Sequence, residues 1–248
     1  MKPPKKYSFA WLRQRAAIWK QRKLAAEWTT LLQGNQTNAE TFERIYRRKL
    51  WVRSAPLGMQ SKSLSGHGSN LESTRVFSSE LERFLKAHSV KVLFDGPCGD
   101  FHWMQHQCFP PACNYIGGDI VSHLIKILTA TYGYEYRSGS AADFPPCSRE
   151  FRRFDITRDE FPLADAWLCK DCIAHLSNND IFKTLENFST SSITFALITN
   201  HKQVTVNRDI RTGDFRHVDL TLEPFSLPKP VEILADLPVD GEPRYVGV

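Results

Sequence analysis

From residue 90 onward, short apolar runs alternate with segments in which apolar residues recur at helical spacing. Strands of a parallel sheet are buried on both faces and read as such runs, whereas amphipathic helices read as the segments between them. The predicted strands span residues 90–95, 115–119, 151–156, 164–170, 192–199, 231–234 and 245–248. This alternation predicts an α/β fold with a doubly wound, mostly parallel seven-stranded sheet, and the short return before the last strand predicts that this strand runs antiparallel.

The first 64 residues have a different pattern, and we predict that they form a helical extension ahead of a domain spanning residues 65–248. Residues 8–33 carry apolar side chains at helical spacing and stop at a glycine, which predicts a long helix. The stretch Thr37-Asn38-Ala39-Glu40 has the form of a capping box and predicts the start of a second helix.

A loop rich in proline, glycine and serine is predicted over residues 53–68, ahead of a cap at Ser69-Asn70-Leu71-Glu72. The glycines on either side of His67 suit backbone that approaches a ligand closely, and backbone N–H groups at a helix start suit an anionic group. An ordinary glycine-rich turn explains the same residues equally well.

The net charge of +5 is unevenly distributed. Residues 1–53 carry thirteen Lys or Arg and three Asp or Glu, so the rest of the chain is net acidic. A basic segment of this kind suits nucleic acid, an anionic membrane surface or an anionic substrate, and it also suits a helix face that is merely solvated. Its tryptophans predict packing on the main domain or on a second subunit, as in a homodimer, or a lid over a site. These tryptophans are Trp11, Trp19, Trp28 and Trp51.

Composition places the chain among globular proteins without a membrane span. No apolar run approaches the roughly 20 residues that cross a bilayer, and the first residues lack the pattern of a secretory signal. The six cysteines have no regular framework spacing, which favours reduced thiols and a cytoplasmic location.

Four carboxylates stand at the ends of consecutive predicted strands: Asp95, Asp119, Asp155 and Asp171. In a doubly wound sheet these positions line one crevice outside the carboxyl ends of the strands. Asp119 follows Gly99 by twenty residues, the separation at which an acidic residue can accept hydrogen bonds from ribose hydroxyls. The pattern therefore predicts a site for an adenosine-containing cofactor.

The stretch Asp95-Gly96-Pro97-Cys98-Gly99-Asp100-Phe101 resembles the first motif of class I S-adenosylmethionine-dependent methyltransferases. Pro97 and Phe101 stand where glycines are common, so the G-x-G-x-x-G pattern that seats a dinucleotide pyrophosphate is not present. The resemblance covers residues 65–248 and extends to Lys170-Asp171-Cys172-Ile173-Ala174-His175-Leu176, which is similar to the family's fourth motif. It implies a Rossmann-like fold and S-adenosylmethionine as the cofactor.

The resemblance also assigns cofactor contacts. Asp119 would hold the ribose, while the Asp155 carboxylate would take the adenine amino group and Ile156 would pack on the ring. The full set of implied cofactor-binding residues is Asp95, Gly96, Pro97, Cys98, Gly99, Asp119, Ile120, Asp155, Ile156 and Asp171. A Ser-Gly-x-Gly-Ser loop, a Cys-Gly-Asp-Phe-x-Trp turn and a Thr-Gly-Asp-Phe-Arg segment also resemble those of a bacterial subgroup of the family. Members of that subgroup are often linked with surface glycans or secondary metabolites, so the resemblance implies a small-molecule or glycan acceptor.

The methyl group of a sulfonium is already electrophilic, so the enzyme mainly has to hold a nucleophile in line with it. If the acceptor is a hydroxyl, a base helps to remove its proton, and the candidates are His175, Asp171 and His201. His175 follows the fourth strand, and an ordinary histidine pKa of about 6.5 suits a base near neutrality. A histidine bonded to backbone at a helix start is the alternative for His175, and a plain loop residue is the alternative for His201.

The long polar loop after the fifth strand predicts a wall of the acceptor site. Its candidate substrate contacts are Arg211, Asp214 and Arg216, of which the two arginines suit a phosphate or uronate group. Surface pairing of the arginines with Asp209 and Asp214 is the alternative. We predict no metal ligand set, although Asp171, His201, Asp209 and Asp214 leave magnesium open.

Three functional hypotheses follow. The first is S-adenosylmethionine-dependent O-methylation of a small molecule or a sugar or glycan hydroxyl. The second is an RNA methyltransferase that grips phosphates with the basic N-terminal segment, whose RNA binding would weaken steeply with salt. The third is a non-catalytic module that has the cofactor-binding fold and binds a partner through its tryptophan-rich helices.

Overall fold

A computed structural model describes residues 9–54, 61–134, 148–237 and 243–248, with only the backbone given for residues 9–12. Its centre is a seven-stranded sheet with the strand order β3-β2-β1-β4-β5-β7-β6. The strands are β1 (Val92–Asp95), β2 (Asn114–Asp119), β3 (Arg149–Arg153), β4 (Ala166–Cys169), β5 (Phe195–His201), β6 (Ile233–Ala235) and β7 (Arg244–Gly247). All neighbouring pairs are parallel except those of β7, which runs antiparallel to β5 and β6. The predicted fold class and the antiparallel last strand are confirmed.

Six α-helices accompany this sheet in the described part of the chain. They are α1 (Phe9–Gln33), α2 (Asn38–Arg47), α3 (Leu50–Arg53), α4 (Leu71–Ala87), α5 (Ser122–Tyr132) and α6 (Asn178–Ser189). The predicted capping box of Thr37 and Glu40 is present at the start of α2, and the Ser177 side chain caps α6 by accepting the Asp180 N–H.

The predicted cap at Ser69 is wrong. Asn70 is the residue that precedes α4, and its side chain makes no capping bond. Its amide oxygen instead accepts from the Lys62 N–H, and its amide nitrogen lies 3.0 Å from Nδ1 of His67. The Asn70 side chain therefore holds the preceding loop in place rather than the first turn of the helix.

The two faces of the sheet are covered by separate cores, because successive strand residues point to opposite faces. Leu93 of β1 lies in the core that α4 and α5 complete, together with Phe77 and Leu128. Phe94 belongs to the other core, with Trp167 of β4 and residues of α6. The sheet is thus buried on both sides, as a doubly wound fold requires.

The N-terminal helices form a smaller cluster around the buried side chains of Leu31, Ile45 and Leu50. The Trp28 indole donates to Oγ of Ser54 at 3.1 Å, which fastens α1 to the end of α3. Trp19 is 65% exposed and does not pack on the domain. The Trp11 side chain lies outside the described residues. No helix in the described ranges is both long enough and apolar enough to cross a membrane.

Two of the four strand-end carboxylates lie beyond the ends of their strands. The third strand ends at Arg153, so Asp155 lies two residues beyond it in a turn. The fourth strand ends at Cys169, and Asp171 follows with φ of 55°. Both carboxylates nevertheless remain at the carboxyl edge of the sheet, beside Asp95 and Asp119, because the chain turns there.

Candidate active site

A cavity of about 460 Å³ lies at the carboxyl edge of the sheet, between the main domain and helices α1–α3. Most of the predicted site residues line it. They are Asp95, Pro97, Cys98, Gly99, Asp119, Ile120, Asp155, Ile156, Asp171, His175, His201 and Asp214. Gly96, Arg211 and Arg216 are not among the lining residues. The strand-end pattern thus predicted one shared cavity correctly.

The turn after β1 is built from tight backbone approaches. Gly99 has φ of 57°, and a Cβ there would lie 2.4 Å from Oγ of Ser65, so the neighbouring loop leaves no room for a side chain. Phe101 also has a positive φ, of 59°, and its buried ring contacts Tyr115 and Phe151. Phe101 thus combines a buried ring with the left-handed backbone conformation that glycine adopts more commonly.

Gly96 acts behind the cavity wall. Its N–H donates to the Leu168 carbonyl, and its own carbonyl accepts from the Trp167 indole. A Cβ at this position would lie 2.7 Å from the Phe94 ring. Gly96 therefore joins the turn to β4 through its backbone rather than through a surface that faces the cavity.

Asp119 holds the turn from the neighbouring strand. Its carboxylate accepts the Gly99 N–H at 3.1 Å and the Val121 N–H at 2.9 Å. Burial raises the pKa of Asp119 to about 6, although these two backbone donors act in the opposite direction. A carboxylate fixed in this way keeps lone pairs for hydroxyl donors of a ligand.

Asp95, like Asp119, is almost fully buried. Oδ2 of Asp95 accepts the Tyr115 hydroxyl at 2.7 Å. Burial raises the pKa of Asp95 to about 7, with the Tyr115 hydrogen bond lowering it and the Asp119 charge raising it further. Two partly protonated carboxyl groups on adjacent strands would both gain from a cationic ligand.

Asp155 forms the wall on the β3 side. Its Oδ1 accepts from both the backbone N–H and the hydroxyl of Thr157, and its Oδ2 pairs with Arg158 at 3.0 Å. Ile156 beside it is buried in the core that contains Phe94 and still lines the cavity. A carboxylate next to an apolar side chain suits an aromatic ring with an amino group.

The loop ahead of α4 is fastened onto the turn by Asp100. Its Oδ1 accepts the hydroxyls of Ser63 and Ser65, and its Oδ2 accepts the Leu64 N–H. Ser65 also lies 2.8 Å from the Tyr46 hydroxyl of α2, so the loop connects the N-terminal helices to the turn. Sequence reasoning missed Asp100 as a site residue, although its place inside the first motif was a signal.

Asp171 belongs to a buried ion cluster that also contains Lys170, Asp236 and Arg244. Lys170 Nζ lies 2.9 Å from Asp171 and 3.0 Å from Asp236, and Arg244 Nη1 lies 2.7 Å from Asp171. Burial alone would raise the pKa of Asp171, but the Arg244 and Lys170 charges hold it below its usual range. Asp171 is therefore ionised and already engaged, and it is a poor proton acceptor.

His175 sits in a short 3-10 turn after β4, between two aromatic rings. Its ring centroid lies 5.1 Å from that of Trp51 and 5.3 Å from that of Phe215. Its Nδ1 lies 2.8 Å from the carbonyl oxygen of Asp214, which makes Nδ1 the protonated nitrogen. Burial lowers the pKa of His175, so the ring is neutral near pH 7 and Nε2 carries a free lone pair.

His201 is the last residue of β5, two residues beyond the predicted end of that strand, and it lines the cavity beside His217. Its Nδ1 is occupied by the Val218 backbone. Burial and the neighbouring His217 lower the pKa of His201 to about 4. His201 is consequently a weaker base than His175.

The structure does not bring the two predicted substrate arginines into the cavity. Arg216 donates to the carbonyls of Arg208 and Ile173 and to the Asn178 side chain, and Arg211 donates to the Leu32 carbonyl. Both side chains hold the long loop to its surroundings. Asp214, the third predicted substrate contact, does line the cavity, and its backbone carbonyl accepts the hydrogen bond from His175.

Several lining residues were not predicted as site residues. They include the aromatic side chains of Trp28, Phe42, Tyr46, Trp51, Phe215 and His217. The sequence left packing on the domain, packing on a second subunit and a lid over a site as alternatives for the tryptophans of the N-terminal helices, and it did not predict which of these residues line the cavity. Within the described ranges, no group of three or more His, Cys, Asp or Glu side chains is placed to hold a metal ion.

Neither a protein-family model nor a curated protein matches this sequence. Among solved structures, the mitomycin 7-O-methyltransferase MmcR is 14% identical, with a TM-score of 0.55 over 92% of this chain and 66% of that chain. Magnesium protoporphyrin IX methyltransferase (ChlM) from Synechocystis PCC 6803, with bound SAM, is 9% identical, with a TM-score of 0.52 over 87% of this chain and 99% of that chain.

Human N-acetylserotonin methyltransferase is 14% identical over 77% of this chain, with a TM-score of 0.43, and this chain spans 51% of its length. The chain thus covers about half of the human enzyme and about two thirds of MmcR. The strand order with its antiparallel β7, together with the likeness to MmcR and ChlM, defines the class I methyltransferase fold.

Proposed function

We propose that this chain is an S-adenosylmethionine-dependent methyltransferase that acts on a hydroxyl of a small molecule or a sugar or glycan. The observation that carries the proposal is the single cavity shared by Asp95, Asp119, Asp155 and His175 at the carboxyl edge of a methyltransferase-fold sheet. The three carboxylates along the edge suit the adenine amino group, the ribose hydroxyls and the positively charged methionine end of the cofactor. The histidine suits the removal of a proton from the acceptor hydroxyl.

The cofactor would lie along the sheet edge from β3 toward β4. Asp155 and Ile156 would hold the adenine, and Asp119 would accept the ribose hydroxyls while its backbone bonds keep the carboxylate oriented. Asp95 would attract the positively charged methionine end, and the backbone of Pro97, Cys98 and Gly99 would approach it closely. S-adenosylmethionine bound at this edge supplies an electrophilic methyl group.

His175 is our candidate for the general base. S-adenosylmethionine would supply the methyl group to the acceptor oxygen and leave as the thioether, and Nε2 of His175 would accept the proton that the acceptor hydroxyl loses. The Asp214 carbonyl keeps Nδ1 protonated and so leaves Nε2 as the basic nitrogen. Asp171 is engaged by two cations, and His201 has a pKa of about 4, so both suit this role less well.

Helices α1–α3 would form the acceptor-side wall, and this is our proposal for the N-terminal extension. Trp51 contacts both Tyr46 and His175, and Phe42 lies against Trp51. Aromatic walls with a few convergent polar groups are typical of small-molecule sites. MmcR and ChlM are both named for small-molecule substrates, which is consistent with an acceptor of this class.

Transfer of a radiolabelled methyl group from S-adenosylmethionine to a panel of phenols, sugars, carboxylic acids and amines tests the proposal. We expect incorporation into hydroxylated acceptors and production of S-adenosylhomocysteine in equal amount. A folded protein that binds the cofactor and methylates only amines would contradict the hydroxyl assignment, and one that does not bind the cofactor would contradict the whole proposal.

A further inference from the structure

Arg244 opens β7 at the end of the cavity that is farthest in strand order from Asp155. Its side chain is 5% exposed, and so is that of Lys170, while the Asp236 side chain is fully buried. Together with Asp171, these residues form a cluster in which the charges of two cations and two carboxylates cancel. A buried charged group needs a hydrogen-bonding partner for each of its polar atoms.

The donors of Arg244 are not all used. Nη1 pairs with Asp171 at 2.7 Å, and Nε donates to the Leu237 carbonyl at 3.0 Å and lies 2.8 Å from Asp236. Nη2 is buried and has no hydrogen-bond partner among the residues that the structure describes. Buried polar groups are nearly always paired, so a guanidinium nitrogen without a partner beside a ligand cavity points to a missing ligand atom.

Gly68 lies beside the Arg244 guanidinium and leaves room there because it has no side chain. A Cβ on Gly68 would lie 3.0 Å from Oδ2 of Asp171 and 3.5 Å from Nη1 of Arg244. On the other side, Arg244 is the register partner of His201, which also lines the cavity. Gly68 and Asp171 thus lie against the guanidinium, and His201 is the neighbour of Arg244 across the β5–β7 pair.

We propose that Nη2 of Arg244 binds a carboxylate at this end of the cavity, an inference that rests on the proposed function for the position of the ligand. A planar guanidinium is suited to carboxylate oxygens, and the hydrogen bond is charge-assisted. The sulfonium and ammonium groups of S-adenosylmethionine would add two positive charges to an otherwise neutral cluster, so a carboxylate there is not repelled. Its source is either the cofactor's own amino-acid end or the acceptor.

Calorimetry with matched ligand pairs tests the proposal and separates the two sources. S-adenosylhomocysteine is compared with S-adenosyl-3-thiopropylamine, which lacks only the carboxylate. Benzoate is compared with benzyl alcohol on protein saturated with S-adenosylhomocysteine, because its ring suits the aromatic wall. Each pair is measured on the wild type, Arg244→Gln and Arg244→Lys, with circular dichroism confirming that the variants are folded.

Arg83→Gln is the matched control, because Arg83 also has two carboxylate partners, Glu80 and Glu232, but lies away from the cavity. In the wild type, we expect the carboxylate-bearing member of one pair to bind at least about tenfold more tightly. In Arg244→Gln we expect the ratio of the two affinities to fall toward one. In Arg244→Lys we expect part of the ratio to remain, because lysine keeps the positive charge but lacks the planar guanidinium.

A lost preference in the adenosyl pair identifies the cofactor as the source, and a lost preference in the benzoate pair identifies the acceptor; either result supports the proposal. If Arg244→Gln leaves the affinity ratios of both ligand pairs at their wild-type values, Arg244 does not bind the carboxylate of a ligand. If the folded wild type binds neither adenosyl compound, the proposed function fails, and the benzoate pair on the free protein then decides the role of Arg244 separately.

Discussion

Nδ1 of His175 lies 2.8 Å from the carbonyl oxygen of Asp214. A carbonyl oxygen can only accept a hydrogen bond, so this contact places the ring proton on Nδ1 and leaves Nε2 as the acceptor. Burial lowers the pKa of His175, which keeps the ring neutral at physiological pH. The contact thereby fixes which ring nitrogen of His175 is able to accept a proton.

Replacing His175 by alanine tests this role. We expect His175→Ala to spare cofactor binding and to lower turnover on a hydroxylated acceptor by roughly 10²–10⁴-fold, the range for loss of a general base. Turnover and S-adenosylhomocysteine affinity are measured together. His106→Ala is the control, because His106 is exposed and does not line the cavity. A near-normal rate in His175→Ala would assign the base to another group.

Asp119→Ala tests the ribose contact. We expect it to weaken S-adenosylhomocysteine binding by on the order of 1.5–3 kcal/mol, the range for hydrogen bonds to a charged group. Asp165→Ala is a matched control, because the Asp165 carboxylate also accepts two backbone N–H groups, those of Lys91 and Val92, but at the other end of β1. Equal losses in the two variants would show that Asp119 acts only through stability of the fold.

Cofactor affinity should depend on pH through the same carboxylate. Burial raises the pKa of Asp119 to about 6, so on acidification the carboxyl group of the free protein gains a proton there and loses acceptor capacity. We expect S-adenosylhomocysteine to bind progressively more weakly as the pH falls from 7 to 5. Titration of Asp119→Asn across the same range should show a shallower dependence, and identical slopes would exclude Asp119 as the titrating group.

Asp95 should impose a pH dependence on stability. Burial raises the pKa of Asp95 from 3.8 to about 7, so the folded chain holds this proton more tightly than the unfolded chain. Stability is therefore lost as the pH rises from about 4 to about 7 and changes no further above that. A displacement of this size corresponds to an order-of-magnitude upper value of about 4 kcal/mol.

Asp95→Asn removes the titrating group, so it should gain stability relative to the wild type as the pH is raised from 5 to 8. Chemical denaturation at both pH values measures the difference. Tyr115→Phe should steepen the wild-type dependence, because it removes the hydroxyl that donates to Asp95 at 2.7 Å. A free-energy difference between wild type and Asp95→Asn that is the same at both pH values would contradict the raised pKa.

The sheet and the meeting of the strand-end carboxylates at one cavity were predictable because they depend on local patterns. Apolar runs marked the strands, and Asp95 and Asp119 stand directly at strand ends, where topology alone brings them together. The displaced positions of Asp155 and Asp171 show the limit of this reasoning. Strand boundaries depend on where ladder pairing stops, which the hydrophobic pattern does not specify.

The surroundings of Arg244 and Arg216 were less predictable because they depend on contacts between distant residues. Arg244 pairs with Asp171 across 73 positions, and nothing near Arg244 marks it as a site residue. Arg216 shows the opposite case, since its charge suggested an anion site but its donors are used by backbone carbonyls and Asn178. Which donor meets which acceptor at such separations is decided by tertiary packing.

Calorimetric titration of the folded wild-type protein with S-adenosylhomocysteine tests the central proposal most directly. We expect one molecule to bind per chain, with an affinity that Asp119→Ala weakens and His175→Ala leaves unchanged. Absence of binding by the folded protein at millimolar ligand would contradict a methyltransferase function for this chain.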